Sequence, residues 1–129
     1  MNEDARTQIL TALALAAAPR VYEYALERFT DEEIPMPAQE QFVVSFEELK
    51  KGIYETAKEY ASEELPAEAV ALALKGYEIA VEALKKLYKE KTTELWSNTG
   101  ASIYLKQEHE FFDKTMGEFL ELIRRMLTP

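Results

Sequence analysis

Cysteine is absent from the 129-residue sequence, and histidine occurs once, as His109. The protein therefore has no disulfide framework, no thiolate nucleophile and no sulfur ligand for zinc or iron. Glycine is scarce and dispersed, at Gly52, Gly76, Gly100 and Gly117. This dispersal excludes glycine-rich phosphate loops and the strained turn of a serine nucleophile elbow. Few of the residue types and motifs that form active sites are present, so a non-enzymatic function without a metal or cofactor is favoured.

Clustered positive charge is also lacking. The formal net charge is −9 and the isoelectric point is near 4.7. Lysines concentrate only at residues 85–91, where glutamates are interleaved with them, a pattern typical of a solvated helix face. Because phosphate recognition needs clustered Lys and Arg, the composition disfavours nucleic acid as a partner.

No segment resembles a secretion signal. The apolar run at residues 9–18 is too short to span a bilayer, and Glu3 and Asp4 precede it where a signal peptide carries positive charge. We therefore expect a buried helix, no membrane association and a cytoplasmic location. Glutamate outnumbers aspartate while Asn and Gln are sparse, as in proteins from thermophiles.

Apolar residues recur with helical spacing in four long segments, and no strand pattern is present. The segments cover about residues 3–29, 37–64, 66–96 and 101–127. Pro19 predicts a kink or a split in the first helix, which would give five helices. For the second helix, Ser45 followed by Glu48 is an alternative start, because this spacing matches a capping box. The pattern predicts one all-α domain over 1–129, an up-down four-helix bundle.

The third segment is apolar around more than half of its helical circumference, which predicts a central helix. One of its two rows consists of large residues. The other consists of small residues, at Ala69, Ala73, Gly76, Ala80 and Ala83. Such a row lets another backbone come close, and it predicts either contact with the alanine-rich first helix or an interface in a homodimer.

His109 is the candidate for acid–base or metal chemistry, since Asp113 follows it by one helical turn. The alternative is a histidine that packs its ring at the edge of the core. A paired-metal site of the ferritin type is excluded, because the residue three before His109 is Lys106 and no second histidine exists. Helical ribonucleases with an Arg-x4-His signature are excluded as well, because Tyr104 stands at the arginine position.

The seven tyrosines are the remaining candidates for recognition. A ligand pocket is one interpretation, with aromatic walls and a few polar groups from Tyr77, Tyr88, Tyr104, His109 and Asp113. Aromatic packing is the other. The sequence therefore favours an acidic helical module that binds a second copy or another protein. The alternative is a helical bundle that binds a small apolar or aromatic molecule.

Overall fold

The computed structural model describes residues 1–29, 42–96 and 102–128. They form four helices: α1 (Glu3–Phe29), α2 (Phe46–Tyr60), α3 (Ala69–Trp96) and α4 (Ser102–Leu127). No strand occurs in these ranges. The predicted all-α four-helix bundle is confirmed.

Consecutive helices run in opposite directions. Arg6, at the start of α1, donates from Nε to the carbonyl oxygen of Ala61 just after α2, at 2.6 Å. Lys91 near the end of α3 forms an ion pair with Glu48 at the start of α2. The end of α3 also faces the start of α4, where the contact described below between Thr92 and His109 is formed. The helices therefore alternate up and down.

α3 is the central helix, because it packs closely against all three others. Its buried side chains form most of one side of the core, and they are Ile79, Ala80, Val81, Ala83, Leu84 and Tyr88. In contrast, the backbones of α1 and α4 barely approach each other, and aromatic side chains bridge the space between them. The predicted central position of the third helix is confirmed.

Gly76 sets the distance between α3 and α1. A Cβ atom at this position would lie 2.8 Å from both the carbonyl carbon and the carbonyl oxygen of Leu13. Real Cβ atoms do not come this close to a backbone, so only glycine fits without a shift of one helix.

α1 continues through Pro19, and the five-helix alternative is therefore wrong. Proline leaves the carbonyl of Leu15 without its helical partner. Pro19 and Leu15 are both exposed, so this carbonyl lies on the solvent side. Ala14, Ala18 and Val21 are buried on one face before and after the proline, and their packing holds the helix together. A kink at Pro19 stays a prediction.

α2 begins at Phe46. The start near residue 37 that the sequence favoured lies outside the described residues, but residues 42–45 are not helical, so α2 does not extend back to it. Ser45 caps the helix: its Oγ accepts from the Glu48 amide, and Glu48 Oε1 accepts from the Ser45 amide, both at 3.1 Å. Phe42 and Val44 precede the cap and are buried outside any helix. The apolar stripe thus begins before the helix does, because it also covers residues that pack in an irregular segment.

α1 is long and apolar enough to cross a membrane by length and composition alone. In its most apolar 18-residue window, 33% of the residues are buried inside the bundle. Core helices of soluble proteins meet the same criterion, so the absence of a membrane partner and the cytoplasmic location stay predictions.

Candidate functional site

Four rings meet where α1, α3 and α4 converge, and we call Phe29, Phe42, Tyr88 and Phe112 the aromatic cluster. The Tyr88 and Phe112 rings are stacked with centroids 4.0 Å apart and planes 8° apart. Phe29 lies 4.8 Å from Phe112, and Phe42 lies 5.7 Å from Tyr88. All four side chains are buried, so the cluster is part of the core.

The hydroxyl of Tyr88 points out of the cluster and donates to Glu108 Oε1 at 2.7 Å. Burial raises the pKa of this phenol, and the hydrogen bond and the negative charge of Glu108 raise it further. Tyr88 is therefore a neutral donor at physiological pH, which suits a structural hydrogen bond and not an acid or base.

His109 lies beside the cluster, with its ring in edge contact with Tyr88 at 6.4 Å. Its Nε2 is 2.7 Å from Thr92 Oγ1, and that hydroxyl is also 2.7 Å from the carbonyl oxygen of Tyr88. Burial lowers the pKa of His109, as does Lys89, against the opposing effects of Asp113 and Glu108. The imidazole is neutral at pH 7 and links α4 to α3.

Asp113 belongs to an ion-pair group on the same seam. Its Oδ2 accepts from Lys89 Nζ at 2.9 Å, and its Oδ1 lies 3.8 Å from Lys85 Nζ. These lysines hold the carboxylate between α3 and α4. Asp113 thus contacts two cations, while Thr92 is the hydrogen-bond partner of His109.

The structure does not bring the five predicted ligand-binding residues together. Tyr88 and His109 are in contact and Asp113 is near them. Tyr77 lies further down α3, 6.2 Å from the Phe119 ring, and its hydroxyl accepts from Arg20 Nη1 at 3.3 Å. Tyr104 is exposed. Tyr88 and His109 are the two of these side chains that touch, and both pack α3 against α4.

The predicted interface row is divided between core and surface. Gly76, Ala80 and Ala83 are buried within the chain, and Gly76 packs against α1. Ala73 is half-buried and Ala69 is exposed. The close approach that this row permits is therefore used inside one chain. Contact of Ala69 and Ala73 with a second chain stays a prediction.

Two apolar grooves flank the second half of α1, and the sequence did not predict them. The α1–α2 groove, of about 340 Å³, is lined by Pro19, Tyr22, Glu23, Leu26 and Phe46. The α1–α4 groove, of about 240 Å³, is lined by Arg20, Glu23, Tyr24, Glu27, Phe119, Leu122, Ile123 and Met126. Both are shallow and open to solvent, and Glu23 stands on the ridge between them.

An exposed apolar stripe follows α4 beside its buried one. Tyr104, Phe111, Leu122 and Met126 form this α4 stripe, and each is between 48% and 64% exposed. The stripe is interrupted between Phe111 and Leu122, where Thr115 is buried and Glu118 is exposed. Their spacings of 7, 11 and 4 residues place them within a narrow angular range of the helix. Leu122 and Met126 line the α1–α4 groove, and Phe111 contacts Phe29 of α1. These spacings were the sequence signal that could have revealed the surface.

The charged side chains of α1 differ from those of the other helices. The ion pairs of the described residues all lie on α2, α3 and α4. On α1, Arg20 donates to Tyr77 and Arg28 lies over the Tyr24 ring. Glu23 and Glu27 have no cationic partner within 4 Å in the described part of the chain. The α1–α4 groove thus has an apolar floor, and charged side chains of both signs, Arg20, Glu23 and Glu27, stand along its α1 edge.

No protein family matches the sequence, and no similar protein is found among characterised proteins or solved structures. Within the described ranges, no three His, Asp or Glu side chains converge in a way that would hold a metal ion.

Proposed function

We propose that the protein is a non-enzymatic interaction module that binds another protein through the α1–α4 groove. The observation that carries this proposal is that Leu122 and Met126 of the α4 stripe are exposed and line the groove together with the buried Phe119 and Ile123. Single exposed apolar residues are ordinary, but a contiguous apolar patch with a polar edge is typical of a protein-binding surface. A small acidic subunit of a larger complex would have these properties.

The shape of the grooves favours a macromolecule over a small ligand. Sites for small molecules enclose most of the ligand surface, whereas both grooves beside α1 are shallow and open. The aromatic cluster offers no alternative site, since Tyr88 and Phe112 are stacked against each other. The small-molecule alternative therefore gains no support from either place.

A homodimer is less favoured in this arrangement. The apolar third helix would require a second copy only if the bundle left its apolar surface uncovered. α3 is covered by α1, α2 and α4 of its own chain, so a second copy is not required for its burial. A heterologous protein partner is the simpler proposal, and a second copy becomes one outcome of the test.

The proposal is tested by replacing Leu122 with a photo-crosslinking amino acid and irradiating the cells that naturally produce the protein. Tyr54, exposed on α2 and remote from α4, is the matched control position. We expect a discrete adduct with another protein from position 122 and none from position 54. An absence of adducts from position 122, or the same adducts from both positions, would contradict the proposal.

A further inference from the structure

The first turns of α4, residues 104–111, are attached to α3 differently from the rest of the helix. None of the side chains in this segment is buried, and those of Leu105, Glu108 and His109 are half-buried. Further along α4 the inward side chains are all part of the core, and they are Phe112, Met116, Phe119 and Ile123. Because apolar burial supplies most of the attraction between helices, the first turns are the part of α4 that separates from α3 at the lowest cost in free energy.

Polar contacts join the first turns of α4 to α3. The Tyr88 hydroxyl donates to Glu108 Oε1 at 2.7 Å, and His109 Nε2 lies 2.7 Å from Thr92 Oγ1. The ring of His109 also covers the edge of the Tyr88 ring. Attachment of this segment therefore depends on hydrogen bonds and charge, which respond to protonation, more than on buried apolar area.

The hydrogen between His109 and Thr92 belongs to the imidazole. Thr92 Oγ1 lies 2.7 Å from the carbonyl oxygen of Tyr88, which can only accept, so the one hydroxyl proton of Thr92 is in that bond. His109 Nε2 therefore carries a hydrogen and donates to Thr92. An added proton binds at Nδ1 and leaves this hydrogen bond in place, so protonation acts on the contact through the new positive charge.

Charges across this contact are complementary while His109 is neutral. On the α3 side lie Lys85 and Lys89, and on the α4 side lie Glu108 and Asp113. A protonated His109 adds positive charge to the α4 side, where Lys89 repels it while Asp113 and Glu108 attract it. Asp113 already contacts both lysines, and Glu108 already accepts from Tyr88, so neither carboxylate is fully available to the charged ring. In a released segment the ring is hydrated and Lys89 is distant.

We propose that His109 is a pH-sensitive switch, whose protonation releases residues 104–111 from α3 while the rest of α4 stays packed. The lowered pKa of His109 agrees with this direction, because burial and Lys89 disfavour the charged ring in the attached state. Release takes Glu108 and His109 away from Tyr88, so the aromatic cluster opens to solvent at its Tyr88 end in acid. The switch does not depend on the proposed function, since the α1–α4 groove contacts the opposite end of α4.

Native-state hydrogen exchange at increasing urea concentration tests the switch. Amides of residues 107–111 should exchange through a local opening with little urea dependence, whereas amides of residues 116–123 should require a larger unfolding with steep urea dependence. After correction for intrinsic exchange rates, the local opening constant should rise by about 3- to 10-fold between about pH 7.5 and pH 5.5. One proton with a pKa of about 6.5 in the released state permits at most about a tenfold rise over this range. Amides of residues 58–60, at the end of α2 and remote from His109, are the control, and their local opening should not change.

Three variants separate the charge of His109 from the packing of its ring. H109Q has no group to titrate, so its local opening should be the same at both pH values. H109K is charged at both, and at about pH 7.5 it should open as readily as the wild type at about pH 5.5. Q107K places the same charge at an exposed position of the same turn and should change the opening by less than about twofold.

Defined results would overturn the switch. An equal urea dependence for residues 107–111 and 116–123 would mean that α4 opens as one unit. A local opening that does not change with pH in the wild type, or that changes equally in H109Q or at residues 58–60, would remove His109 as its cause. Equal opening of H109Q and H109K at about pH 7.5 would assign the effect to lost ring packing and not to charge.

Discussion

Gly76 and Gly117 both lie inside helices, but their surroundings differ completely. A Cβ at Gly76 would lie 2.8 Å from the Leu13 backbone, whereas a Cβ at Gly117 would meet no atom within 4 Å. We expect Gly76→Ala to lower the free energy of unfolding by about 1–3 kcal/mol, because α1 and α3 must move apart. Urea denaturation measures this change.

Gly117→Ala is the control with the opposite sign. The substitution adds helix propensity at an open position and should raise the free energy of unfolding by about 0.5–1 kcal/mol. If Gly76→Ala also stabilised the protein, the close approach of α3 to α1 would be wrong.

His109 should make stability depend on pH in a defined direction. Burial and the charge of Lys89 lower the pKa of His109 in the folded protein. In the unfolded chain the pKa of histidine is about 6.5. As the pH falls, the unfolded state therefore takes up this proton before the folded state does. The contribution of His109 is therefore complete above about pH 6.5 and decreases as the pH falls below that value. Urea denaturation at about pH 7.5 and pH 5.5 measures the decrease. Both values lie above the pH range in which ordinary carboxylates titrate.

The variant H109Q supplies the reference for this titration. It should show a smaller loss of stability between the two pH values, because it removes the group that takes up the proton. NMR titration of the His109 ring is an independent check, and a midpoint above about 6.5 would contradict the lowered pKa.

At the scale of elements, the cap formed by Ser45 and Glu48 stabilises the first turn of α2. The reciprocal hydrogen bonds of Ser45 and Glu48 satisfy two backbone amides, and Glu48 also pairs with Lys91 of α3. These contacts lower the pKa of the Glu48 carboxyl, so they are formed by its charged state. We expect Ser45→Ala to lower the free energy of unfolding by about 0.5–2 kcal/mol, measured by thermal or urea denaturation.

Ser62→Ala is the matched change after the other end of α2. Ser62 is exposed, and its Oγ donates only a long bond of 3.2 Å to the Glu59 carbonyl oxygen. Its loss should change the free energy of unfolding by less than about 0.5 kcal/mol. Equal losses from the two serines would mean that the cap does not fix the start of α2.

The helix boundaries show how far local patterns reach at this scale. The spacing of Ser45 and Glu48 specified the start of α2, and it was a better guide than the hydrophobic pattern. Phe42 and Val44 extend that pattern because they are buried, yet they lie outside the helix. Hydrophobic periodicity reports burial, whereas capping residues report where backbone hydrogen bonding begins.

At the scale of the whole molecule, α4 has a buried face that holds the fold and an exposed apolar face that the fold does not cover. Met116 is buried between α4 and the rest of the bundle, while Met126 is exposed in the groove. Met116→Ala should lower the free energy of unfolding by about 2–5 kcal/mol. Met126→Ala should change it by less than about 0.5 kcal/mol, and thermal denaturation of both variants checks the contrast.

The two methionine variants also connect stability with the proposed function. Met126→Ala should weaken the binding of the partner protein without loss of stability, since the side chain lines the groove and is not part of the core. A large loss of stability in this variant would instead identify the α4 stripe as part of the packed core and would remove the evidence for a binding surface.

The sequence by itself determined the four helices, the central position of α3 and the alternation of helix directions. These follow from periodicity and from the breaks between helical segments of similar length, which are local properties of the chain. It also indicated that Gly76 and its neighbours would allow a close approach. It left open whether the approaching backbone belonged to the same chain, because spacing on one helix does not name its partner.

Only the tertiary structure decided which apolar residues are covered. It placed Tyr88 and His109 in one packed seam and separated them from Tyr77 and Tyr104, which share the sequence pattern but not the location. It also left the α4 stripe exposed, because the α1 and α4 backbones stay apart while α3 contacts both. Burial is a property of the assembled helices, and the distance between two helices that are remote in sequence is set by all the side chains packed between them.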